Sequence, residues 1–351
     1  MDLLKYKVKY KIHQSDMSLR GAIATKQSQL NDIMIWLLVS CFFLLLLALP
    51  SYAENTPVIR PKIGLALGGG GARGAAHIGI LRVFERENIP VDYLVGTSAG
   101  AFVAALYAGG VNPDEIEKHV LSGAMKKVYK TDISMVRALF LRLNKVTRIF
   151  LGKPFYAGLY NDHRLHNFVD RVISKSDGTI EVAIPLNIIA VDLVTGLPVV
   201  IKSGDVGLAV QASTAIPTLR QPIRIGDQLL IDGGVLRNIP VGEAKKMGAD
   251  IVIAVDVDSK LETTTPQDFK SFEAVITRVI TIGLKAQSEN ILDKADIVIK
   301  PDLKGIGILD LDNKNLEEAI KAGEEAAIKK IPEIKKRIQQ KTHTMRIADN
   351  R

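Results

Sequence analysis

Leu94-Val95-Gly96-Thr97-Ser98-Ala99-Gly100, followed by Ala101-Phe102-Val103-Ala104-Ala105, reads as an apolar strand, a Gly-x-Ser-x-Gly turn and a helix start built of small residues. On such a strand-to-helix corner a serine is held with its hydroxyl exposed. Small residues flank it because the backbone runs close both to the next helix and to whatever binds at the turn. Ser98 is therefore the candidate nucleophile.

Working back from this turn, Ile63-Gly64-Leu65-Ala66-Leu67 reads as a buried strand, and Gly68-Gly69-Gly70-Gly71-Ala72-Arg73-Gly74 as a loop opening a helix over 75–86. Glycines expose backbone N–H groups beside a helix N-terminus, so the loop is receptive to negative charge. Gly69, Gly71 and Gly74 also satisfy the spacing G-x-G-x-x-G, which a dinucleotide site shares. A phosphate loop of the Lys-Ser or Lys-Thr type is excluded, since no such pair follows. Residues 91–95 form the strand that enters the serine turn. Two consecutive strand-helix units put both turns at one edge of a parallel sheet, where ligands bind.

Forward of the serine, residues 113–121 read as a helix and 186–192 and 197–202 as strands, with a turn at Thr195-Gly196 between them. A helix is expected over 206–213, and a strand over 228–231 that ends at Asp232-Gly233-Gly234. The pattern continues with a helix over 240–247, a strand over 251–257, a long helix over 267–292, a strand over 297–300 and a lysine-rich helix over about 315–341. This alternation predicts an α/β fold with a largely parallel central sheet.

A serine nucleophile needs a base. The triad order would be Ser, an acid, then His, but only His343 follows the later acids, and it sits in a polar tail. His119, His163 and His166 lie on charged helical segments, and His77 falls one turn into the first helix, where packing or capping suits it. Asp232 is left as the candidate base. It ends an apolar strand, and Gly233 and Gly234 leave room beside it for a nucleophile.

At this point the chain resembles the patatin-like phospholipase family, in the bacterial subgroup related to the catalytic domain of neuropathy target esterase. The resemblance is carried by Gly69 to Gly74, by Gly96 to Gly100 and by Asp232-Gly233-Gly234, with Asp192, Ala212-Ser213 and Ile216-Pro217 in support. It implies a three-layer α/β/α domain and a serine acyl hydrolase that releases fatty acid from phospholipid or lysophospholipid through an acyl-enzyme. Ser98 would be the nucleophile and Asp232 its general base, while backbone N–H groups of Gly69, Gly70 and Gly71 would hold the oxyanion. Arg73 would orient the loop, contact phosphate or serve the fold alone. Gly68 stands where plant patatins have Asp, a departure that touches the loop and not this chemistry. No metal or cofactor is implied. Three other readings compete: a nucleotide binder using the glycine loop, a lipid-binding protein without turnover, and a thioesterase or short-chain esterase.

Composition agrees with a large core, at 47% hydrophobic residues, and the net charge of +8 allows an anionic surface as partner. The resemblance selects membrane phospholipid over nucleic acid. Within residues 125–153, Lys126, Lys127, Lys130, Arg137, Arg142, Lys145, Arg148 and Lys153 alternate with apolar side chains. Such a segment can lie on an anionic membrane or be a helix with an ordinary solvated face. Residues 1–53 read as a basic leader followed by an apolar run over 33–49. That run is a secretory signal or an uncleaved anchor, which predicts a chain exported or anchored into the periplasm or cell envelope. The single cysteine, Cys41, is an apolar residue of that run. Residues 54–351 are then the hydrolase domain, with the motifs in 61–258 and a helical region over 259–351.

Overall fold

The computed structural model describes residues 34, 36–40, 60–123, 163–174, 182–217, 219–258 and 263–349. Contacts divide the chain into two units, Met1–Val58 and Ile59–Arg351. In the first, residues 34 and 36–40 are helical, and Met34, Trp36, Leu37, Leu38 and Val39 are exposed. Among the described residues no helix is long and apolar enough to cross a membrane. The expectation that the 33–49 run exports or anchors the chain into the periplasm or cell envelope is therefore corrected. The rest of that run, and the basic segment 125–153, lie outside the described residues.

Among the described residues the second unit has eight strands: β1 (Ile63–Leu67), β2 (Tyr93–Thr97), β3 (Leu186–Asp192), β4 (Leu197–Ile201), β5 (Ile223–Ile225), β6 (Gln228–Asp232), β7 (Ile251–Val255) and β8 (Ile297–Ile299). Their order across the sheet is β5-β6-β3-β2-β1-β7-β8, with β4 also paired to β3. The pairs β1–β2, β1–β7, β2–β3 and β7–β8 are parallel; β3–β4, β3–β6 and β5–β6 are antiparallel. The helices among the described residues of this unit are α1 (Ala76–Arg86), α2 (Ala99–Ala108), α3 (Pro113–Leu121), α4 (Arg164–Ile173), α5 (Val206–Ser213), α6 (Val241–Lys246), α7 (Phe272–Leu292) and α8 (Asn313–Asp349).

The central parallel strands β1 and β7 are apolar on both faces because both faces are covered, as parallel sheets require. Side chains alternate along a strand, and β1 shows the consequence. Ile63, Leu65 and Leu67 join one core with α1, α2, α3, α4 and α8, while Ala66 joins Val95, Ile189, Val252 and Ala254 under α6, with Ile291 and Leu292 of α7 packed against them. The result is the three-layer α/β/α arrangement.

Two expected elements differ in detail. The helix over 267–292 is interrupted: a 3-10 turn at Pro266–Phe269 precedes α7. Ser271 caps α7 by accepting from the Ala274 N–H, which starts a new helix there. The last helix begins and ends beyond 315–341, and its first half belongs to the core, with Ala319, Ile320, Ala327, Ile331 and Ile334 buried.

That half of α8 lies directly on α1. A methyl group added at Gly323 would sit 2.0 Å from the Ala76 carbonyl oxygen, and one at Gly79 would sit 2.1 Å from that of Ile320. In an open helix, Gly to Ala stabilises by about 1 kcal/mol. Here backbone atoms block the added carbon, so Gly323→Ala is expected to lower the melting temperature. A thermal melt showing an increase would mean that the two helices do not touch in this way.

Candidate active site

The register of β3 brings the site together. β2 runs parallel to β3 and ends with Thr97 opposite Ile189, while β6 runs antiparallel and ends with Asp232 opposite the next residue, Ala190. The C-terminal ends of two strands that approach from opposite directions therefore meet over adjacent residues of a third. Ser98 follows Thr97, and its Oγ donates to Asp232 Oδ2 at 2.7 Å although the two are 134 residues apart. Both side chains are buried.

Ser98 has φ 52° and ψ −120°, and it is one of two non-glycine residues with positive φ among the described residues. An L-residue in that region stores roughly 1–3 kcal/mol of strain unless its surroundings fix it. Here they do: the Ser98 N–H donates to Ser213 Oγ at 2.8 Å, and Ser213 Oγ in turn donates to the Ile189 carbonyl at 2.6 Å. A side chain at Gly100 would meet the Leu67 carbonyl oxygen at 2.3 Å, so the second glycine of the turn is required by close approach to β1.

Asp232 accepts from the Gly234 N–H through Oδ1 at 2.8 Å, which leaves Oδ2 to Ser98. Burial pushes its carboxyl up to about 6, with the hydrogen bonds from Ser98 and Gly234 pulling the other way. Among the described residues no histidine is bonded to Ser98 or Asp232. His77 is buried, its Nε2–H donates to the Gly68 carbonyl at 2.8 Å, and burial holds it down at about 4, so the ring is neutral. His166 faces Asp170 and Asp205 at 2.8 and 2.9 Å, a group whose potential metal-ligand atoms lie within 4.8 Å of one another. None of these three residues lines the cavities at Ser98.

The glycine loop is tied down almost group by group. The Gly68 N–H donates to the Val255 carbonyl and the Gly68 carbonyl accepts from His77. The Gly69 N–H donates to Asn238 Oδ1 at 3.1 Å, the Gly70 carbonyl accepts from the Arg73 N–H, and the Ala72 N–H donates to the Ile308 carbonyl. Only the N–H groups of Gly70 and Gly71 in this stretch are left without a hydrogen-bond partner among the described residues, and both residues line the cavity that contains Ser98. Of the three N–H groups expected as donors, that of Gly69 is held by Asn238 in this arrangement. Arg73 is buried, and its Nε donates to the Ile306 carbonyl at 2.7 Å, which fastens the loop to the segment after β8.

Two apolar cavities meet at Ser98 and share Gly71, Ile216 and Ile308. The smaller, about 60 Å³, runs between α1, α2 and Leu316; the larger, about 380 Å³, holds Asp232 and is walled by Ile276, Val279, Ile280 and Leu284 of α7. Asn238 also lines the larger cavity, and sequence reading passed it over: a lone Asn before a helix gives no local sign of a partner 169 residues away. Asp192, by contrast, accepts from the Val194 and Leu229 N–H groups and from Thr195 Oγ1, which makes it a turn-holding residue of the β3–β4 corner.

A family model described as patatin-like phospholipase matches residues 65–245, a stretch that contains Ser98, Asp232 and the whole glycine loop. The chain belongs to the patatin-like phospholipase family. Among its relatives, Lysophospholipase NTE1 of Yarrowia lipolytica is 32% identical over 210 residues, which is 59% of this chain and 13% of that protein. Patatin-like phospholipase domain-containing protein 6 of Mus musculus is 34% identical over 203 residues, 57% of this chain and 14% of that protein. The chain thus spans about an eighth of the length of these relatives. Among solved structures, VipD from Legionella pneumophila aligns with a TM-score of 0.42 at 16% identity, covering 77% of this chain and 66% of that one. Asn238 lies inside the region that matches the patatin-like model, whereas α7, β8 and α8 lie beyond it.

The strain at Ser98 can be read by a matched pair of variants. Ser98→Ala and Ser98→Gly both remove the hydroxyl, but only glycine relieves the positive φ. Ser98→Gly is expected to be the more stable of the two by about 1 kcal/mol in denaturant unfolding. Equal stabilities would show that the backbone at the turn is relaxed.

Proposed function

We propose that the protein is a serine acyl hydrolase that cleaves fatty-acyl esters of phospholipids or lysophospholipids through an acyl-enzyme. The observation that carries this is the 2.7 Å hydrogen bond from Ser98 Oγ to the buried Asp232 carboxylate, beside two unpaired N–H groups and within an apolar cavity. Family membership, and relatives that bear the names lysophospholipase and patatin-like phospholipase, support the substrate class.

In the proposed reaction Ser98 Oγ attacks the ester carbonyl carbon while its proton passes to Asp232 Oδ2. The carbonyl π electrons move onto oxygen, and the N–H groups of Gly70 and Gly71 donate to the oxyanion. Donors fixed before the charge develops stabilise the transition state more than the ground state. Collapse breaks the bond to the alcohol, which leaves with the proton from Asp232. Water then enters, gives its proton to Asp232 and attacks the acyl-enzyme; release of the fatty acid returns that proton to Ser98. Arg73 serves this scheme by holding the loop to the Ile306 carbonyl, a positioning role.

The cavity supports an acyl chain as ligand, since its wall on α7 is apolar. Of its lining residues Val235 and Val279 are exposed, and so are their chain neighbours Leu236, Val275 and Ile282, which supports entry of substrate from a lipid surface.

A panel of phospholipids, lysophospholipids, acyl thioesters and short-chain esters, assayed on the full chain beside Ser98→Ala, tests the reading. Release of long-chain fatty acid that disappears in Ser98→Ala is expected. Lipid binding with no turnover would favour a carrier, and turnover confined to thioesters or short esters would change the substrate class.

The base gives a second test. Asp232 must be ionised to take the proton, and burial has moved it up to about 6. kcat/KM should therefore be flat above neutrality and fall as pH drops through 6, with about a tenfold loss at pH 5. An unperturbed aspartate would hold activity down to about pH 4. Asp232→Asn should lower kcat by about a thousandfold or more and leave the fold intact. Near-normal activity in that variant would assign the base elsewhere.

A further inference from the structure

Behind the glycine loop lies a chain of buried polar groups that the reaction above does not use. Ser288 Oγ on α7 donates to Asp258 Oδ2 at 2.9 Å, and Asn238 Nδ2 donates to the same oxygen at 3.2 Å. Asn238 Oδ1 accepts from the Gly69 N–H at 3.1 Å, and its Nδ2 also lies 3.4 Å from the Gly69 carbonyl oxygen. The Asn238 backbone N–H is itself held by Gln287 Oε1 at 3.3 Å. Asn238, Asp258 and Ser288 are each no more than 2% exposed. Three parts of the fold, the segment before α6, the segment after β7 and the C-terminal part of α7, thus converge on one peptide of the loop.

Core stability does not account for this arrangement. Buried polar groups cost several kcal/mol unless every partner is in place, and an apolar plug of the same volume stabilises at least as well. The network also carries a cost in full: Asp258 Oδ1 is buried with no hydrogen-bond partner among the described residues. What the network supplies is a fixed direction. A methyl group at Gly69 would meet Asn238 Oδ1 at 2.8 Å and Ser98 Cβ at 3.0 Å, so the Gly69 backbone is wedged between the amide and the serine. Where Asn238 stands decides how far the loop stands from Ser98.

We propose that Asn238, itself held by Asp258 and Ser288, is a positioning residue that grips the Gly69 peptide so that the next two N–H groups, those of Gly70 and Gly71, face the oxyanion formed at Ser98. The inference rests on the acyl-hydrolase reading. It also explains why the loop has an N–H group that is spent inside the protein: Gly69 is the handle, and Gly70 and Gly71 are the donors. The groups of opposite charge near Asp258 are Arg73 and Lys300, and Lys300 Nζ is paired with the neighbouring Asp256. Beyond its attraction to Arg73, the carboxylate at 258 serves as an acceptor for two donors, Asn238 and Ser288.

Asn238→Ala tests this in the full chain. The expected loss is about 100-fold in kcat, the scale of one oxyanion-hole donor, with KM changed by no more than about twofold. The acid limb of the pH profile should stay near 6, because Ser98 and Asp232 are untouched. Labelling of Ser98 by a fluorophosphonate, whose phosphoryl oxygen needs the same donors, should slow in parallel. Asp258→Asn keeps an oxygen for Asn238 and Ser288 and should recover most of what Asp258→Ala loses. A folded Asn238→Ala with wild-type kcat, or with its whole defect in KM, overturns the proposal. If Asn238→Ala does not fold, the pair at 258 decides, and equal kcat in Asp258→Asn and Asp258→Ala overturns it. Wild-type protein that neither labels nor hydrolyses lipid ester overturns the hydrolase reading and this inference together; an active wild type with an unaffected Asn238→Ala overturns this inference alone.

Discussion

The site depends on how β3 divides its pairing. Its first residues pair in parallel with β2 and its last ones antiparallel with β6, so the serine at one strand end and the aspartate at the other are set against consecutive residues, Ile189 and Ala190. A slip of one residue in either ladder would send every side chain of that strand to the opposite face. Burial on both faces prevents such a slip. Leu94 and Ile188 belong to one core, Val95 and Ile189 to the other, and the two sets differ in size and neighbours. The 2.7 Å contact between Ser98 and Asp232 is thus maintained by the packing of the whole sheet rather than by the two side chains alone.

The same strand holds Ser98, the proposed nucleophile, a second time. Ser213, at the end of α5, donates to the Ile189 carbonyl and accepts from the Ser98 N–H, so the strained turn is tied through one hydroxyl to the residue that sets its register. A neutral hydrogen bond contributes about 1 kcal/mol, and the strain of a non-glycine residue at this φ and ψ is of similar size. One bond alone barely balances the strain. The close approach of Gly100 to β1 and the continuation of α2 from Ala99 supply the rest.

Much of this was legible in the sequence, and the physical reason is locality. Ser98 and its glycines, the glycine loop and Asp232 at the end of an apolar strand each declare themselves within about seven residues, because turn chemistry is local. The alternation of strands and helices carried the sheet for the same reason. What escaped was set by distant partners. Nothing near Gly69 says that its N–H is taken by Asn238, and nothing near Asn238 says that Asp258 and Ser288 lie behind it. The break before α7 was missed because a single capping serine outweighed an otherwise continuous helical pattern. The apolar run at 33–49 is the opposite case: its composition reads as a secretory signal or an anchor, whereas among the described residues no helix is long and apolar enough to cross a membrane.

The arrangement also bears on why a carboxylate can stand where a histidine is more usual. In a Ser-His-Asp triad the acid's task is to hold the imidazole in one orientation and tautomer. Asp232 needs no third side chain for that purpose. The Gly234 N–H occupies Oδ1, the strand fixes the main chain, and Oδ2 is left facing Ser98. A solvated aspartate would be too weak a base for a serine hydroxyl at neutral pH. Burial at the strand end, on a cavity wall shared with Gly234 and Leu284, costs the ionised form part of its stability and brings the group to about 6, close to where histidine titrates. Two hydrogen bonds to the charged form keep it from rising further, so Asp232 remains ionised at neutral pH. In the proposed reaction the backbone supplies the orientation and the apolar core supplies the basicity, and the dyad needs no histidine.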